Sequence, residues 1–203
     1  MIIRFISLWR DVYRSYRGDS ERHWLRLTTV LILSIFIAFA SKSTAQSYSM
    51  MASIITVLAG FTFTALFSNH ALATNDLPEP KDESDRNDLR LLRLLGENFR
   101  IRSSFFIITS VLNIVLILIM SIDLSILIIN FYIENIMKFT GDNYYVIIII
   151  NIISIIIIVS FYFITSALYF LFFECLYTFY RLTETILSIL SRRKAYLDSH
   201  VSF

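Results

Sequence analysis

One cysteine, two prolines, four glycines and three histidines are all that this 203-residue chain offers of the residues that most often build turns and reactive centres. The lone thiol, Cys175, excludes an internal disulfide framework and a thiolate metal cluster. His23, His70 and His200 are scattered over three segments without metal-ligand spacing. The chain has no glycine-rich phosphate loop, no nucleophile elbow and no HExxH motif. Charge is sparse as well, with Asp, Glu, Lys and Arg making up 17% of the residues. These absences predict a protein that is not an enzyme and carries neither cofactor nor metal.

What is present in excess is apolar. Hydrophobic residues make up 56% of the chain, 18 of them Phe, and they fall in long blocks. A soluble domain of this length could not hide so much apolar surface, so the composition predicts an integral membrane protein. The N-terminal stretch MIIRFISLWRDVYRSYR lacks an unbroken apolar core and a small-residue cleavage site, so no cleavable signal peptide is expected.

The blocks predict four transmembrane helices. The first, Trp24 to Ala40, is about 17 residues long and close to the lower limit for a crossing. A short polar connection, Ser41 to Tyr48, leads to a second that ends near Ala71. The third begins near Phe105, is apolar to Ile122, and resumes after Asp123 as far as Ile133. The fourth begins near Tyr144 and stays apolar to Phe173. A run of about 29 residues at 1.5 Å rise is about 43 Å, longer than a hydrocarbon core of about 30 Å. The last helix is therefore expected to tilt or to extend beyond the bilayer, through TETILSILSRRK.

The second helix looks like the organising one. Ala52, Thr56, Gly60, Thr64 and Ser68 recur every fourth residue and share one face. In lipid, small residues allow close backbone approach, and hydroxyls can bond a neighbouring backbone. This row predicts a packing or oligomer seam, on a helix at the centre of the protein.

Flanking segments complete the organisation. Residues 1–23 read as an N-terminal interfacial amphipathic helix, with Ile2, Phe5, Ile6 and Trp9 on one side and Arg4, Arg10, Arg14 and Arg17 largely on the other. Residues 24–72 form a first transmembrane hairpin, 73–103 a charged helical loop, 104–180 a second hairpin and 181–203 a C-terminal helix and tail. In the loop, Pro78 and Pro80 precede Asp82 to Asp85, which can cap a helix from about residue 85. On that helix Leu89, Leu92, Leu95 and Phe99 share a side, while Arg86, Arg90, Arg93 and Arg100 point elsewhere. The interleaved acids Asp82, Glu83, Asp85 and Asp88 read as a solvated helix start, not a metal site. Of the 18 Lys and Arg, six lie before residue 27, six in the loop and four in the tail, leaving Lys42 and Lys138 for the other two connections. The positive-inside rule then places both termini and the loop in the cytoplasm.

Polar residues inside lipid are costly and hence informative. Asn113 and Asn151 could line a pore, but interhelical hydrogen bonding is the preferred reading. Glu174, two turns before Arg181 on a similar face, is expected to form an ion pair near the inner interface. The arginine face of the loop helix suits a protein partner or lipid headgroups, and direct nucleic-acid binding is not expected. The chain thus reads as an all-α membrane scaffold or sensor. A pore-forming effector is the alternative, and a transporter is disfavoured because charged residues at the midplane and broken helices are missing.

The size, the four-span layout, the TVLAGFTFT core and the charged loop resemble the membrane subunit of the Kiwa anti-phage defence system. The resemblance covers the whole chain through layout and general character, with no diagnostic motif. It implies a homo-oligomeric, tetrameric sensor in the bacterial inner membrane that works with a soluble DNA-binding partner encoded beside it. It carries over no catalytic residue.

Overall fold

The computed structural model describes residues 23–40, 45–72, 77–121 and 144–201, together with residue 10. The expected N-terminal interfacial helix, Asp123, and Lys42 and Lys138 lie outside the described residues, as do the side chains of His23, Ser68, His70 and Asn151. Among the described residues all regular structure is helical. The four helices are α1 (His23–Ala40), α2 (Ala45–Leu72), α3 (Glu83–Ser121) and α4 (Tyr144–Val201). Three of them, α2, α3 and α4, contain stretches long and apolar enough to cross a membrane, and α1 has a shorter apolar segment, Leu25–Ala40. Their large apolar side chains face outward, Phe67 at 76% exposed and Phe163 at 73% among them. Such a surface is soluble only in lipid, and the chain is a membrane protein.

α3 and α4 form the backbone of the structure. They pack on each other more extensively than any other pair, and their contacts run antiparallel. Asp88 meets Arg192, Arg102 meets Thr185, Ser110 meets Cys175 and Asn113 meets the Leu168 carbonyl. The seam follows helical periodicity, with Leu92, Phe99, Phe106 and Ile117 from α3 set against Leu168, Cys175, Leu182 and Ile189 from α4. At 1.5 Å per residue α3 is about 58 Å long and α4 about 87 Å, both far beyond a hydrocarbon core of about 30 Å. The expected loop helix and third span are therefore one continuous helix, and the last helix carries on well past its apolar part.

The second helix is not the centre. α2 packs along α3 and touches α4 only lightly, while α1 packs on α4. Its buried stripe is made mainly of larger residues, Tyr48, Met51 and Ile55, with Thr62 beyond them. The small-residue row faces the other way: Thr56, Gly60 and Thr64 are exposed and Ala52 half-buried. The hydroxyls that were expected to bond a neighbour are satisfied within their own helix. Thr56 Oγ1 donates to the Ala52 carbonyl at 2.8 Å and Thr64 Oγ1 to that of Gly60 at 3.0 Å. Such local bonds are always within reach in a helix, whereas a bond to a neighbour needs the neighbour in place.

Candidate functional site

The start of α3 is fixed by its own acids. Asp82 Oδ1 accepts the Asp85 N–H at 2.8 Å, and Asp85 Oδ2 accepts the Lys81 N–H at 3.1 Å. These bonds satisfy donors that a helix start would otherwise leave open, and the helix begins at Glu83, slightly earlier than expected. The same acids reach the end of α4. Asp85 Oδ2 lies 3.3 Å from His200 Nε2, and Asp88 Oδ1 lies 3.8 Å from Arg192 Nη1. Tyr196, buried, donates its hydroxyl to the Pro78 carbonyl at 2.8 Å. Burial pushes the Tyr196 phenol above its ordinary range, and the carboxylates of Asp85, Asp82 and Asp88 add to the effect. The last turns of α4 are thereby tied to both the 77–80 segment and the first turns of α3.

On the other side of α3 the arginines face outward. Arg86, Arg90 and Arg93 line one wall of a cleft of about 480 Å³, opposite Leu77, Pro78, Glu79 and Pro80. Arg100 is exposed but does not line the cleft. Leu92 and Phe99 are buried against α4, as their spacing predicts, and Leu89 and Leu95 are half-buried.

Further along, the α3–α4 seam carries polar residues at nearly every turn. Arg102 is 6% exposed and donates from Nη1 to Thr185 Oγ1 at 2.9 Å. Thr109 donates to carbonyls of its own helix, and Ser110 Oγ lies 3.9 Å from Cys175 Sγ. Asn113 is fully buried and makes a long interhelical contact, Nδ2 to the Leu168 carbonyl at 3.5 Å. Glu174 is also buried, and it forms an ion pair with a cation from another helix. Arg26 of α1 approaches it, Nη1 to Oε1 at 3.3 Å, with the guanidinium 3.7 Å above the Tyr177 ring. Arg181 pairs with Glu184 on its own helix. The pairing is decided by which helix lies beside α4 at that depth.

Sequence reasoning missed Arg102 and the role of Arg26. For Arg102 the signal was there, since it lies three residues after Phe99 on the face that Leu92 and Phe99 bury. No group of His, Cys, Asp and Glu among the described residues is placed to hold a metal. No protein-family model, no curated protein and no solved structure matches the chain.

Proposed function

We propose that the protein is an oligomeric inner-membrane sensor and scaffold that recruits or controls a soluble cytoplasmic partner, working in anti-phage defence. The observation that carries this reading is the projection formed by the first turns of α3 and the last turns of α4. It is packed through Leu92, Leu182, Ile189 and Tyr196 and turns Arg86, Arg90 and Arg93 outward. Among the described residues, this packed, charged extension on an otherwise apolar bundle is the surface best suited to recognition by a soluble protein. The distribution of Lys and Arg supports four spans with both termini and this projection in the cytoplasm. The defence role rests on the resemblance to the Kiwa membrane subunit.

A pore-forming effector is the second reading. In its favour, Ser103 Oγ, Asn113 Oδ1 and Thr178 Oγ1 are buried without a hydrogen-bond partner among the described residues. Against it, the seam around them is filled by Phe105, Phe106, Leu168 and Phe172.

One pair of variants separates the two. Arg86→Glu with Arg90→Glu and Arg93→Glu replaces attraction for an acidic partner by repulsion, a mismatch costing several kcal/mol across an interface. That variant is expected to insert and oligomerise, yet to lose its co-purifying neighbour-encoded protein and its defence activity. Asn113→Leu with Asn151→Leu, which would dry a pore lining, is expected to keep most activity. Loss of function and of ion flux in liposomes for the Asn pair, with a silent Arg triple, would replace the scaffold by the pore.

A further inference from the structure

Arg86, Arg90 and Arg93 follow one another at helical spacing, so three guanidinium groups share one side of the first three turns of α3. Like charges placed this way destabilise an isolated helix. Of the acids close in sequence, three are committed elsewhere, while Glu83, three residues before Arg86, and Glu97, four after Arg93, are exposed and form no ion pair among the described residues. Asp82 and Asp85 hold the helix start, Asp85 also faces His200, and Asp88 faces Arg192. Among the described residues, no ion pair is formed by the three arginines, and one carboxylate, Glu79, lines the cleft with them.

The opposite wall is built to keep its shape. Pro78 and Pro80 restrict the backbone, and the Pro78 carbonyl is held by the Tyr196 hydroxyl of α4. The result is a cleft of about 480 Å³, the size of a small-molecule site, lined by a stiff segment of Leu77, Pro78, Glu79 and Pro80 and by three arginines. Guanidinium groups match phosphate oxygens with paired N–H donors, which a lysine ammonium cannot do. We propose that this cleft binds a phosphate-bearing anion carrying at least two negative charges, either a free polyphosphate or the phosphomonoester headgroup of a lipid. The chemistry is the same for both sources. The nearest of the three, Arg93, lies about 18 Å along α3 from Phe105, where the unbroken apolar stretch begins, so a free polyphosphate reaches the cleft from water and a lipid headgroup only where α3 leans over toward the bilayer surface. It uses the same three arginines as the scaffold reading, but it is tested on the purified chain with no partner present, so the two readings fail separately.

The test uses the full-length protein in nanodiscs. In discs of phosphatidylcholine alone, pyrophosphate and ATP are titrated by calorimetry. In a second arm, discs containing phosphatidic acid are used and the lipid retained on the protein is counted by native mass spectrometry. Binding in the first arm assigns a free phosphate ligand, and selective retention in the second assigns a headgroup. Either is expected to weaken about tenfold for Arg90→Gln, to vanish when all three arginines become Gln, and to tighten for Glu79→Gln. Replacing all three by Lys keeps the charge but not the paired donors, and is expected to bind more weakly than the native chain. The site does not exist if no probe binds in either arm, or if the Gln triple binds as the native chain does. Should the Gln triple fail to accumulate, equal binding by native and Lys chains overturns the proposal.

Discussion

Glu174 gives up nearly all contact with solvent, and it does so beside a cation from another helix, Arg26, whose charge is spread over the Tyr177 ring. Desolvating a carboxylate costs several kcal/mol unless a partner offsets it. Breaking such a pair from one side is therefore far more damaging than removing it whole. Arg26→Met is expected to destabilise the protein by about 3 kcal/mol, while Arg26→Met combined with Glu174→Leu recovers much of that loss. Thermal unfolding followed by size-exclusion in detergent would show it. A double variant no more stable than the single one would mean that the pair holds nothing. Arg102 is the counterpart at the level of Thr185, a charge admitted to the seam because its neighbour across the helix pair accepts a hydrogen bond.

Gly60 decides what the exposed side of α2 is for. A Cβ built there meets nothing within 4 Å, so Gly60→Leu is expected to leave the single chain folded. If the Ala52–Gly60–Thr64 face meets a second copy, the same change is expected to shrink the oligomer in mild detergent while Ile55→Leu does not. An unchanged particle size would leave that face to lipid. The row shows what a sequence can and cannot reveal about helix packing. Long apolar runs and the Leu92–Phe99 spacing were legible because burial against α4 demands them whatever else surrounds the helix. The seam used by α2 was not, since a row of small side chains suits a tight interface and a lipid face equally, and Tyr48, Met51 and Ile55 do the packing instead. The partner of Glu174 was hidden for a related reason. Spacing along α4 brings Arg181 near in sequence, but only the position of α1 brings Arg26 near in space.

For the molecule as a whole, the four-span proposal puts the charged projection on the same side of the bilayer as the N-terminal arginines. Reporter fusions at Phe203 and near Asp82 are both expected to report cytoplasm, and a periplasmic signal from either would overturn the four-span arrangement. The continuity of α4 then has a mechanical meaning. Its 58 residues contain neither glycine nor proline, the usual places where helices bend. About 40 Å of it extends from Glu174 to Val201, and the Arg26 pair grips it where that arm begins. A helix whose apolar stretch outruns the bilayer tilts further as the bilayer thins. If α4 turns about that grip, a lean of about five degrees in the lipid carries Tyr196, about 33 Å further along the helix, and the 77–80 wall it holds sideways by about 3 Å.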